Sequence, residues 1–315
     1  MTKCLITGCG GFIGSYLAEF LLTEGLTVYG IVHHSTARIE HLRDRLAIIH
    51  CDLLDRERVG EIMTQLQPGF IFHLAAQSLV SSSWEDPETT LRVNILGSLY
   101  LLEGVRKAAI EPVVVMMGSS SEYGFSYEDK VPIAEDNRFA PSSPYGVSKI
   151  AQDMLAFAYF RGLHMTIVRV RPFYIIGPGK TLDACSDFAR GIVRIERGQQ
   201  RSLKVGNLEA VRDVVDVRDA VRALWLIADK GVPGEAYNLC SGKGYKIGEI
   251  LDKLISLSGA KVIVQSDSRK MRLADESLLV GDNSKLRRLG WEPRIPLERS
   301  LADILDFWRR EPIDC

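Results

Sequence analysis

Residues 3–14, KCLITGCGGFIG, constrain the fold of this chain more than any other stretch. A short apolar run ends at Gly8, Gly11 and Gly14, and a helical period of apolar residues opens at Ser15. Glycines placed between a strand and a helix let the backbone turn tightly and bring bare main chain up to a pyrophosphate at the helix N-terminus. Gly8, Gly11, Phe12, Ile13 and Gly14 are therefore candidate cofactor-binding positions, and the chain reads as an α/β protein.

The same alternation continues downstream. Strands are expected over residues 3–7, 27–32, 47–50, 70–74, 113–118 and 166–171, and helices over 15–22, 55–65, 90–107 and 145–161. Strand and crossover helix in strict succession define a Rossmann-type doubly wound parallel sheet. The segment RPFYIIGPGK, residues 171–180, then breaks regular structure with two prolines and two glycines. Residues 1–171 are expected to form the cofactor-binding Rossmann domain. Residues 172–315 would form a smaller α/β C-terminal substrate-binding lobe with helices over 186–196, 217–229 and 246–258. Parts of about 211–242, including a strand over 236–240, are expected to rejoin the main sheet.

Charge and composition narrow the function. Lys and Arg number 39 against 40 Asp and Glu in 315 residues, a net charge of −1 that leaves no global field to gather nucleic acid or anionic membrane. The chain shows neither a secretion signal nor an apolar stretch approaching the roughly 18 residues of a membrane span, so a cytoplasmic protein is expected. Its cysteines, at 4, 9, 51, 185, 240 and 315, form no C-x-x-C pair, and no metal site is expected.

An Asp or Glu ending the second strand would hold the adenosine ribose of NAD, whereas a 2′-phosphate prefers a cation. Here the segment reads IVHHSTAR, without an acid. His33 and Arg38 suit a 2′-phosphate, so NADP(H) is expected, with NAD(H) as the alternative. Asp52 and Leu53 follow the third strand at the adenine edge, where Asp52 would serve equally as a helix cap. Leu74, Ala75 and Ala76 follow the fourth and would bring small side chains to the cofactor.

Tyr145 and Lys149, four residues apart, share one helix face. An ammonium beside a phenol stabilises phenolate and is expected to bring its pKa from about 10 toward neutrality, giving a proton donor and acceptor for a carbonyl or alcohol. The serine turn GSSSEYG follows the fifth strand at the ligand-binding end of the sheet.

Taken with these motifs, DLLD, HLAAQS, RVNILGS with Asn94, SPYGVSK and RPFYIIGPG make the chain resemble the extended short-chain dehydrogenase/reductases that act on nucleotide sugars. The resemblance implies that Tyr145 is the acid/base, that Lys149 tunes it and binds the nicotinamide ribose, and that Ser119 hydrogen-bonds the reacting sugar oxygen. Gln77, Ser120, Ser121 and Tyr174 join the substrate-binding set. VGNLEAVRD, RKMRLAD and GDNSK are similar to the pattern shared by GDP-mannose 4,6-dehydratases and GDP-4-keto-6-deoxy-mannose reductases. That similarity implies that Arg212 and Arg272 grip a diphosphate, and that Asn207 and Asp275 complete a site for a GDP-linked sugar. It also implies a homodimer.

The serine turn divides the possible reactions. The dehydratase pattern S-T-x-E-x-Y-G would put a carboxylate at position 121, where this chain has Ser121, and Glu122 stands one residue late. An epimerase thiol is absent, since no cysteine lies between Cys51 and Cys185. The expected activity is NADPH-dependent reduction of the 4-keto group of a nucleotide-linked 4-keto-6-deoxy sugar, GDP-4-keto-6-deoxy-mannose to GDP-rhamnose. Dehydration or epimerisation is the alternative, and a non-catalytic NADP(H) sensor the third reading. Tyr174 replaces the family's substrate-binding asparagine, which leaves the sugar open.

Overall fold

A computed structural model describes residues 2–125, 131–271 and 275–312. The β-branched runs form strands β1 (Lys3–Thr7), β2 (Thr27–Val32), β3 (Ala47–His50), β4 (Phe70–His73), β5 (Val113–Met117) and β6 (Ile167–Pro172). They lie parallel in the order 3-2-1-4-5-6, and β10 (Ala236–Leu239) pairs parallel with β6 as a seventh strand. Order reverses between β1 and β4, and a crevice opens at their carboxyl ends, where open α/β sheets bind ligands.

Helices α1 (Phe12–Thr23), α2 (Arg56–Leu66), α3 (Val80–Glu85), α4 (Pro87–Leu91), α5 (Gly97–Lys107) and α6 (Pro144–Leu163) connect the first strands. One apolar cluster packs α1 and the later helix α8 (Val217–Lys230) on one face of the sheet; another packs α2 and α5 on the other. The expected helix over 90–107 is not uniform, because residues Arg92–Leu96 form a π-turn between α4 and α5. The extra residue swings Asn94 inward, where its fully buried amide bonds the Gln77 main chain and Ser148.

Beyond β6 the chain forms β7 (Tyr174–Ile176), α7 (Ala184–Glu196), β8 (Ser202–Val205) and β9 (Val211–Asp216), with β7 parallel to β9. After β10 come β11 (Gly244–Lys246), α9 (Ile247–Ser258), β12 (Ile263–Ser266), β13 (Leu278–Leu279), α10 (Ser284–Arg288) and α11 (Leu297–Arg310). Sequence reading missed α11, whose Leu297, Leu301, Ile304, Leu305 and Trp308 close a separate apolar cluster with α7 and α9. Among the described residues, no helix is long and apolar enough to cross a membrane.

Candidate functional site

The glycine turn is built for close approach. Gly8 has φ +71°, and a Cβ there would lie 2.8 Å from the Ala75 backbone, which ties the turn to the segment after β4. Helix α1 starts at Phe12 with Gly11 as N-cap, no side-chain cap and no acid in its first turn. An uncapped, acid-free helix start next to bare glycine main chain fits the pyrophosphate of a dinucleotide. Beneath it, fully buried His73 bonds Thr7 Oγ1 at 2.8 Å and Ser98 Oγ at 2.9 Å, while Thr7 Oγ1 accepts from Ala75 N. Burial, with the Lys149 cation adding to it, pushes His73 down to about 3, so this ring is a neutral strut.

At the end of β2, His33 is exposed, stacks on His34 at 3.6 Å, and stands 3.7 Å from the Asp52 carboxylate. Arg38 is half-buried, near Tyr16 and the Gly179 backbone. Asp52 accepts from Leu54 N, and the Leu53 side chain is buried against Gly97. Leu53 therefore offers a cofactor only its main chain. Leu74, Ala75 and Ala76 line the carboxyl end of β4, half-buried.

Ser119, Tyr145 and Lys149 converge from β5 and α6. Ser119 caps a short 3-10 turn, its hydroxyl accepting from Ser121 N at 3.1 Å. Gly146 lets α6 approach this turn, since a Cβ there would lie 2.6 Å from Ser121 O. Ser120 is buried and Ser121 half-buried. Lys149 is buried, donating to Met117 O at 2.8 Å and Gln152 Oε1 at 2.7 Å, with Nζ 5.9 Å from the Tyr145 ring centre.

The electrostatics correct one expectation. Burial pushes the Tyr145 phenol up to about 12, against a hydrogen bond with Ser119 that lowers it and with the Glu122 carboxylate adding to the rise. Lys149 does not bring the phenol toward neutrality here, because its ammonium is turned to Met117 and Gln152 and is itself lowered to about 8 by burial. A phenol with a raised pKa keeps its proton, the state a general acid needs. Gln152, one turn beyond Lys149, was missed by sequence reading, although its spacing on α6 was the available signal.

In the second half, Arg212 Nη2 meets Asp275 Oδ1 at 2.7 Å, and Asn207 Nδ2 donates to Asp275 Oδ2 at 2.9 Å. Arg212 also donates to Glu276 O. The structure brings these three predicted residues together; Arg272 lies outside the described residues. Tyr174 donates its hydroxyl to Asp183 Oδ2 at 3.0 Å and accepts from Cys185 N, so that oxygen is engaged at the start of α7. The Lys180 ammonium lies 4.7 Å over the Tyr174 ring and pairs with Asp183, a contact the sequence did not suggest. Gln77 presents its main chain to Asn94 and its side chain to Leu79 N.

A parallel sheet in this order, a glycine cradle at its switch point, and a Ser–Tyr–Lys cluster beside it define a short-chain dehydrogenase/reductase type of protein. Residues 5–304 match the family described as GDP-mannose 4,6 dehydratase, and the chain belongs to that family. It is 30% identical over 309 residues to the GDP-6-deoxy-D-mannose reductase of Pseudomonas aeruginosa, covering 97% of each chain. It is 31% identical over 348 residues to the GDP-mannose 4,6-dehydratase of Yersinia enterocolitica, covering 97% of this chain and 93% of that one. The solved structure of RMD from Pseudomonas aeruginosa complexed with NADPH superposes with a TM-score of 0.85 at 29% identity, covering 98% of this chain and 99% of that one.

Proposed function

We propose that this protein reduces the 4-keto group of a nucleotide-linked 4-keto-6-deoxy hexose, GDP-4-keto-6-deoxy-mannose foremost, giving GDP-rhamnose with NADPH. The observation carrying this reading is the serine turn. Glu122 is fully buried behind it and accepts from Ser119 N, while Ser121 occupies the position where a dehydratase needs its carboxylate. The turn therefore offers the sugar hydroxyls and no base for C5.

Bound NADPH would supply the hydride to C4. Tyr145, protonated in its buried setting, donates the proton to the ketone oxygen, and Ser119 hydrogen-bonds that oxygen. Lys149, anchored on Met117 O and Gln152 Oε1, would bind the nicotinamide ribose. By the family resemblance Arg212 and Arg272 would grip the diphosphate, Asn207 and Asp275 would serve the ribose side, and Gln77, Ser120, Ser121 and Tyr174 would border the sugar. Residues 1–171 carry the cofactor and 172–315 mainly the substrate.

NADPH is preferred over NADH because no carboxylate ends β2, and exposed His33 and Ser35 stand there instead. The protein acts as a cytoplasmic homodimer. One face of α6 buries Tyr145, Lys149, Gln152 and Asp153, while Val147, Met154 and Phe157 remain exposed on another, an apolar stripe suited to a second copy.

Cofactor stoichiometry tests the reaction. With a 4-keto-6-deoxy sugar nucleotide, one NADPH should be oxidised per product, and GDP-mannose should not be dehydrated. Conversion of GDP-mannose to its 4-keto-6-deoxy derivative with only catalytic cofactor would overturn the reading in favour of a dehydratase.

A further inference from the structure

Behind the serine turn lies a charged cluster that the proposed reaction does not use directly. Glu122 is 0% exposed, so its carboxylate cannot touch a substrate. Its Oε1 accepts from Ser119 N at 2.7 Å, closing a reciprocal capping box with the Ser119 side chain. Its Oε2 has no hydrogen-bond partner but lies 3.1 Å from Arg171 Nε. Arg171, from β6, also bonds Asp153 Oδ2 at 3.0 Å, Tyr123 Oη at 2.9 Å and Glu135 O at 2.8 Å. Asp153 lies on α6 two turns beyond Tyr145. The cluster thus braces the turn that carries Ser119 against the helix that carries Tyr145. Gly118 is part of the fit, because a Cβ at that position would collide with Glu122 Oε1.

We infer that Glu122 is a positioning residue: its buried carboxyl group, admitted by Gly118 and braced by Arg171 and Asp153, holds Ser119 in hydrogen-bond register with Tyr145. This rests on the proposed reading of the Ser119–Tyr145–Lys149 site. It also gives a physical use to the glutamate that stands one residue away from the dehydratase position. Gln would keep an acceptor for the Ser119 N–H while setting its amide NH2 against the Arg171 Nε–H, and an apolar side chain would keep neither contact.

The first test needs no substrate. Protein carrying isotope-labelled tyrosine is followed by NMR at the ring carbon bearing the Tyr145 hydroxyl, assigned by its loss in Tyr145→Phe. Ser119→Ala and Glu122→Leu should move this resonance alike, and Glu122→Gln, which keeps the acceptor for Ser119 N, should move it less. Gly118→Ala should act as Glu122→Leu does, reaching the carboxyl from the backbone side should the leucine variant not fold. The second test is kinetic. Glu122→Leu should lower kcat about 10- to 100-fold, as small misplacements do, with KM and NADPH affinity within about twofold. In a Ser119→Ala background it should cost less than about twofold more, because residues acting as a unit are not additive.

A Tyr145 resonance unmoved by Glu122→Leu and Gly118→Ala, or a full additional loss in the Ser119→Ala background, overturns the inference. Failure of the functional reading looks different: Tyr145→Phe and Ser119→Ala would then leave turnover unchanged, whatever the resonance does.

Discussion

Lys149 sets the most direct prediction at the residue scale. Burial lowers its pKa to about 8, whereas Tyr145 is raised to about 12. Below about 8 the ammonium is present to hold the nicotinamide ribose of the bound cofactor; above it, the ammonium is lost. Reduction should therefore fall as pH rises through about 8, while Lys149→Met should be slow at every pH and lack that limb. Tyr145→Phe should lose roughly 10²–10⁴ in kcat with cofactor affinity nearly intact, since only the proton-donating hydroxyl goes. A pH–rate series on the wild type and both variants checks this, and an alkaline limb surviving in Lys149→Met would assign it to another group. Sequence spacing placed Tyr145 and Lys149 on one face, but not that Met117 O and Gln152 would take the lysine's hydrogen bonds.

At the scale of elements, the β1–α1 turn is where backbone conformation and ligand binding meet. Gly8 combines a left-handed φ with near contact to Ala75, so even one methyl group strains the turn and presses on the segment after β4. Strain of this kind costs about 1–3 kcal/mol. Gly8→Ala should lower Tm by a few degrees and weaken NADPH binding about tenfold or more, read by fluorescence titration. An unchanged affinity would remove this turn from the cofactor site. The helix expected over 90–107 shows what pattern alone misses. Its apolar period is continuous, yet the π-turn at Arg92–Leu96 exists because Asn94 finds partners on Gln77 and Ser148, which are remote in sequence.

For the whole molecule, the question is what covers α6. Its buried face belongs to the candidate site, and its stripe of Val147, Met154 and Phe157 is exposed, the face that the proposed dimer would cover. Met154→Glu would place a charge in that contact, where an unpaired buried charge is strongly disfavoured. Sedimentation should find a dimer for the wild type and a monomer for the variant. A monomeric wild type would leave the stripe without this role.

Local rules sufficed for much of this protein. The strand–glycine–helix run, the β-branched strands and the Tyr–Lys spacing depend on chain neighbours, so β1, β2 and β3 fall where the pattern puts them. The absence of a carboxylate at position 121 is equally a matter of sequence. Tertiary structure alone decided the rest, because burial and long-range partners set it. It placed Glu122 and Asp153 against Arg171 and Arg212 against Asp275, engaged the Tyr174 hydroxyl with Asp183, and packed α11 onto α7 and α9. It also raised the pKa of Tyr145 when spacing argued for lowering it, since desolvation depends on everything that surrounds the phenol and not on the residue four positions away.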